Sequence, residues 1–171
     1  MPGISKEALY AQFITREPQA DEAIAKYSTT TEIKESLLNF ISWLKTSGAS
    51  IQYADYENQS PFWEIDYNNK TYYLVLNGED NICIMVKIDF SQKYQAVMRE
   101  SNLHEIILNN LQHCTRKDGG HCNNCHLPSD VAGVDEVIFG KEVKNLCCGQ
   151  FVSFVNPNSQ VIDGIKKLLE L

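Results

Sequence analysis

The sequence predicts an α+β fold: an antiparallel meander of strands with helices packed on one face, and a Cys-rich metal-binding loop near its end. Three observations predict it. Apolar residues recur at helical spacing over 33–44 and 161–169. They alternate with period two over 51–88, where asparagine-rich turns separate the runs. The helical and strand patterns also occupy separate stretches, which argues against the regular alternation of a parallel α/β sheet. A length of 171 residues suits one domain over 1–171. A chain of that size buries roughly 70% of its unfolded surface, enough to fold without disulfides.

The elements follow in order. Residues 1–28 read as an N-terminal helical segment in two pieces, 6–13 and 19–26, broken by Arg16-Glu17-Pro18 because proline cannot continue a helix from its N-terminal side. Thr29 and Glu32 have capping-box spacing, and Ile33, Leu37, Ile41 and Leu44 share one helical face until Gly48 stops it. Phe40 and Trp43 widen that face. Ile51-Gln52-Tyr53 is a short first strand. Over 62–67, Trp63, Ile65 and Tyr67 fall on one side and Phe62, Glu64 and Asp66 on the other. Asn68-Asn69-Lys70 is turn chemistry because asparagine tolerates positive φ, and 71–76 runs back. After a second turn over 77–81, Ile82, Ile84, Val86 and Ile88 mark one face of the next strand.

Asp89 or Ser91 caps a helix through about Glu100, and Ser101 caps another over 103–112. Residues 113–149 form a Cys/His-rich loop inserted before the last strand and helix, with a further short strand over 137–139. Periodicity is lost over 113–135, where Gly119-Gly120, Pro128 and Gly133 fall. Residues 151–155 make the last strand, and a terminal helix starts at Ser159 after Asn156-Pro157-Asn158.

Fifteen basic against twenty-two acidic residues leave a net charge of −7. That balance argues against a nucleic-acid surface, which needs clustered cations to neutralise phosphates, and against anionic lipid. No apolar run approaches the roughly 18–20 residues of a membrane span. The start has no basic stretch followed by an apolar one, so no secretion leader is expected and the cytoplasm is the expected compartment.

In that reducing compartment, clustered cysteines point to metal more than to disulfides. Five of the six cysteines fall between positions 114 and 148. A C-x₂-C turn lets two thiolates converge on one point, so Cys122 and Cys125, with Cys114 and Cys147, are the expected ligands of a structural zinc ion. Cys148, His121 and His126 are alternates. Structural zinc contributes on the order of 10–16 kcal/mol of apparent binding energy in small peptides, ample to order a long loop. Reduced, unligated thiols are the bland alternative. Covalent haem at Cys122–His126, an iron–sulfur cluster and a thioredoxin-like pair use the same residues, yet each lacks the surrounding pattern its chemistry needs.

Aromatic residues concentrate over 53–73. Tyr53, Trp63, Tyr67 and Tyr73 are candidates for the wall of a small-molecule pocket, against the plainer reading that aromatics favour strands and pack beneath helices. No phosphate loop, nucleophile elbow or nucleophile–base set is visible in the sequence.

Phe62-Trp63-Glu64-Ile65, Tyr72-Tyr73-Leu74 and the terminal Ile165-Lys166-Lys167-Leu168-Leu169 carry a resemblance in pattern. Over about 30–171 the order of elements resembles small bacterial α+β domains described as frataxin-like or iron-chaperone-like. The resemblance implies the fold order and carries no functional residue across; the cysteine loop is an addition to it. The function expected from the residues is a non-enzymatic small-molecule-binding or regulatory module stabilised by zinc. A thiol or metal redox sensor and a zinc-dependent hydrolase are the alternatives.

Overall fold

The computed structural model describes residues 19–27, 29–54, 61–77, 80–114, 133–147 and 151–171. Among them run α1 (Ala20–Lys26), α2 (Thr31–Thr46), β1 (Ser50–Ala54), β2 (Phe62–Tyr67), β3 (Lys70–Asn77) and β4 (Asn81–Lys87). Then come α3 (Gln92–Glu100), α4 (His104–Asn109), β5 (Val134–Ile138), β6 (Lys141–Leu146), β7 (Phe151–Val155) and α5 (Ser159–Leu169). The expected helical piece over 6–13 lies outside the described residues.

Strands β1, β2, β3, β4 and β7 form one sheet in that order, and β5 with β6 a separate two-stranded ribbon. The first three pairings of the sheet are antiparallel. Asn156, just past β7, donates its backbone N–H to the Ile82 carbonyl at the start of β4 (2.8 Å), which sets β7 antiparallel as well. The α+β class and the antiparallel sheet therefore stand. Two compact units divide the chain: the described residues of Met1–Val86 with Ser153–Glu170, and those of Lys87–Val152 with Leu171.

In the first unit, the register carries the period-two pattern into the core. Trp63 lies opposite Leu74 and Leu74 opposite Ile84, while Ile65 faces Tyr72 and Leu76 faces Ile82. All of these are buried. Helix α2 supplies Leu37, Phe40, Ile41 and Leu44 to the core, and α5 supplies Ile162, Ile165, Leu168 and Leu169. Trp43 joins these layers. It stacks on Phe40 (5.9 Å), meets the edge of Tyr67 (5.5 Å) and lies under the Lys166 ammonium (5.8 Å). Each large apolar side chain buried this way contributes roughly 1.5–3 kcal/mol.

Local chemistry fixes the ends. Asn68 and Asn69 have φ of 52° and 58° between the paired Tyr67 and Lys70, the two-residue turn whose twist suits a hairpin. Thr30, one residue later than the sequence suggests, caps α2 by accepting from Ile33 N (3.4 Å). Asn158 caps α5 by accepting from Val161 N (3.0 Å). Asn156, at φ 44°, accepts from Ile82 N (2.9 Å) and donates to Asp80 O and Asn81 Oδ1, tying the end of β7 to the entry of β4.

The second unit is built differently. α3 begins where Asp89 Oδ1 accepts from Ser91 N (2.8 Å), a side-chain-closed turn. The segment 113–149, expected as a loop, contains the β5–β6 hairpin over its described part. Ile138 pairs with Lys141 across Phe139-Gly140, whose φ of 52° and 81° close a tight two-residue turn. The ladder then shifts by one residue: Val134 faces Leu146 but Glu136 faces Val143. Asn145 absorbs the extra residue at φ 57°, and its N–H goes to Asp135 Oδ1 (2.8 Å) instead of a backbone carbonyl.

Candidate functional site

The four aromatic candidates do not form one wall. Strand alternation puts Tyr53, Trp63 and Tyr67 on the helix-covered face and Tyr73 on the other, where its ring meets the edge of Phe62 (6.0 Å). Trp63 is 1% exposed, a core side chain packed against Tyr53 (5.6 Å). A small cavity of about 210 Å³ does touch Tyr53 and Trp63, beside Lys45 and Gln52. It falls below the ~300–1,000 Å³ of ordinary ligand pockets. Its cation is also committed, since Lys45 Nζ pairs with Asp21 at 2.9 Å. The hydrogen bond from Lys45 holds the Asp21 carboxyl below its usual range, against a smaller upward push from burial.

Tyr72 lies in the core with no hydrogen-bond partner for its hydroxyl among the described residues. Burial, with a smaller contribution from Tyr67, pushes its phenol up to about 12. Burial also raises the Cys83 thiol, so this isolated cysteine stays protonated and behaves as a small apolar core residue.

The expected structural zinc is overturned. Among the described residues no group of three or more His, Cys, Asp and Glu side chains could hold a metal ion. Cys114 and Cys147 are described, and both are free thiols. Cys122, Cys125, Cys148, His121 and His126 lie outside the described residues. What orders the described ends of this segment is backbone pairing. His113 bridges Leu146, Cys114 N donates to Asn145 O (2.7 Å) and Cys147 N donates to Gln112 O (2.9 Å). Zinc as cofactor and the Cys-rich metal-binding loop are therefore withdrawn. So are the metal-releasing thiol sensor and the zinc hydrolase, which depended on them.

A larger concavity lies within the Lys87–Val152 unit, a cleft of about 590 Å³. Phe90, Ser91, Gln92 and Gln95 line it from the start of α3; Asp135, Glu136, Val137, Glu142, Val143 and Lys144 line it from the ribbon. A single side chain fixes the two walls. Gln95 Nε2 donates to Phe90 O (2.6 Å) and Val137 O (3.1 Å), and Gln95 Oε1 accepts from Phe139 N (2.7 Å). A carboxamide is the natural group here, because it donates and accepts at one end and so imitates a neighbouring strand.

Phe139 sits at a φ few bulky residues adopt, a strain of order 1–3 kcal/mol. Its ring is held against α3 and α4, with the Arg99 guanidinium 5.5 Å above it and the His104 ring edge-on at 6.0 Å. A contact of that kind contributes about 0.5–1 kcal/mol when exposed. Together with the Gln95 bond it offsets the strain and fixes the turn.

Three carboxylates (Asp135, Glu136, Glu142) face one ammonium (Lys144) at the cleft, so its field favours a cation. Asp135 spends one oxygen on the bulge, whereas Glu136 and Glu142 are exposed. Val134 and Val137, at 50% and 57% exposure, are two of the three large apolar side chains most exposed to solvent among the described residues.

Among the described residues, none of those expected to form a site lines this cleft. The sequence does hold a signal for it: Val134–Ile138, the dipeptide Phe139-Gly140 and Lys141-Glu142-Val143 read as two short strands about a glycine turn. Among the described residues, no helix is long and apolar enough to cross a membrane. Comparison with protein-family models, curated proteins and solved structures finds no match to the chain.

Proposed function

We propose that this protein is a binding module whose ligand occupies the cleft between α3 and the β5–β6 ribbon. The observation that carries the reading is the Gln95 clamp. It spends both amide protons and one carbonyl lone pair on the α3 entry and the ribbon, the two walls of a cleft of about 590 Å³. A pre-formed cavity of that size lies within the range of ligand sites.

What the cleft offers is recognition chemistry: the carboxylates of Glu136 and Glu142, the Lys144 ammonium and the exposed Val137 side chain. Nucleophilic catalysis needs a nucleophile within hydrogen-bond reach of a base. No histidine or cysteine is among the described residues lining the cleft. The likeness to frataxin-like domains enters only through the order of elements and supplies no site residue.

The test is a titration of ¹⁵N-labelled protein with benzylamine and, separately, phenylacetate. Saturable shifts at Gln92, Val137 and Val143, with the amine binding more tightly than the acid, support the cleft. Shifts centred on Tyr53 and Trp63, or no saturable shift at all, would overturn it.

A further inference from the structure

We infer that the occupant of the cleft is an extended basic segment of another protein, added as a strand along the outer edge of β5. The inference rests on the cleft reading and gives its ligand a chemical class. Among the described residues β5 pairs only with β6, on one side. In a two-residue hairpin the residues flanking the turn exchange both of their hydrogen bonds, so Ile138 and then Glu136 direct their backbone groups toward β6. Asp135 and Val137 direct theirs outward. The Gln95 side chain fits that direction, because it reaches the Val137 carbonyl from the outer side (3.1 Å). The Val137 N–H and the Asp135 backbone are thereby presented along an edge that lines the cleft, the geometry used when a peptide extends a sheet.

The side chains specify what the strand carries. Alternation puts Asp135 and Val137 on one face of β5 and Val134 and Glu136 on the other, one acid and one exposed valine to each. Directly opposed pairs of unlike charge stabilise a ladder and like charges destabilise it. The complement of Val134-Asp135-Glu136-Val137 is therefore apolar-basic-basic-apolar. A second copy of this chain fails that requirement. Pairing β5 with β5 sets Asp135 and Glu136 against the same carboxylates, between chains of net charge −7. At about 3.3 Å per residue, four residues span the exposed edge.

The probe is a fluorescein-labelled peptide, Ser-Val-Lys-Lys-Val-Ser, followed by anisotropy against the full chain, with Ser-Val-Glu-Glu-Val-Ser and spermidine as comparisons. Saturable binding of the basic peptide, weakened by salt, is expected, with the acidic peptide at least about tenfold weaker. Val137→Pro removes an N–H that the register directs away from β6, the one an added strand would use, and proline is tolerated on an edge strand. It should weaken the basic peptide about tenfold or more, whereas Val137→Thr should not. If Val137→Pro does not fold, Glu136→Lys, at an exposed position, tests the same edge by lowering affinity for the basic peptide and raising it for the acidic one. Equal binding of both peptides, affinity unmoved by these variants, or spermidine competing as well as the peptide would overturn the strand-addition proposal. If benzylamine still shifts Val137 while the basic peptide does not bind, the cleft reading survives and this inference falls. If neither binds, both fall.

Discussion

Replacing Gln95 with alanine removes three hydrogen bonds that join α3 to the ribbon and to its own entry: two donated to Phe90 O and Val137 O, one accepted from Phe139 N. A net 0.5–1.5 kcal/mol for each bond sums to about 1.5–4.5 kcal/mol, and the part-buried Phe139 N–H left without a partner keeps the loss off the low end of that range. We expect about 2–4 kcal/mol, expressed locally. At 2 kcal/mol the Phe139 amide should exchange with solvent about thirtyfold faster. Amide exchange followed by NMR reads this directly, and urea denaturation reads the total. Gln95→Glu sharpens the test. A carboxylate still accepts from Phe139 N but donates to neither carbonyl, so it should protect Phe139 while freeing Val137 O. A Gln95→Ala protein with unchanged Phe139 exchange and a stability loss under about 0.5 kcal/mol would refute the clamp.

Other positions carry equally definite expectations. Gly133 stands at φ 80°, and a Cβ there would collide with Asn145 Oδ1 and crowd Cys114. Gly133→Ala should therefore cost about 2–4 kcal/mol in urea unfolding, the strain of a left-handed residue added to overpacking. Asn156→Ala strips one acceptor and two donor contacts from the junction of β4 and β7, so a loss of about 2–3 kcal/mol is expected by the same assay, with Ile82 amide exchange accelerated. Asp21 has its folded pKa depressed by Lys45, so the pair contributes stability above the ordinary carboxylate value of 3.8 and loses it as pH falls through the folded one. Because both side chains are 43% exposed, the contribution stays within about 1 kcal/mol, and Lys45→Met should flatten that part of the acid limb of stability. Iodoacetamide labelling read by mass spectrometry should modify half-exposed Cys147 well before buried, protonated Cys83.

The sequence exposes those elements whose pattern also decides their packing. β2 was legible to the residue and α5 nearly so: one turns Trp63 and Ile65 into the core with Tyr67 half-buried beside them, the other starts at Ser159 after a capping asparagine. α2 shifts by one at its start because Thr29 and Thr30 both suit an N-cap, and only the backbone decides between them. β6 was not legible. Lys141-Glu142-Val143-Lys144-Asn145-Leu146 belongs to an exposed ribbon with a bulge, so charge masks the alternation that would betray a strand.

The candidate site was harder to see. Tyr73 is three residues from Leu76 and ten from Trp63 in sequence, yet register places it behind the sheet, information composition does not hold. The cleft depends on Gln95, a polar residue in a helix with no sequence signature. It becomes meaningful only when Val137 and Phe139, more than forty positions away, arrive beside it. The cysteine cluster misled for a related reason: spacing says which thiols can converge, and Cys114 and Cys147 are instead placed by the backbone ladder that runs from Gln112 to Cys147.

The most direct measurement is a set of crystal structures soaked in small probes: isopropanol, acetonitrile and methylammonium. Superimposed probe positions should cluster against Val137 and the first turn of α3, with methylammonium nearest Glu136 and Glu142. A cluster at Tyr53 and Trp63 with nothing bound beside Gln95 would contradict the proposed binding site outright.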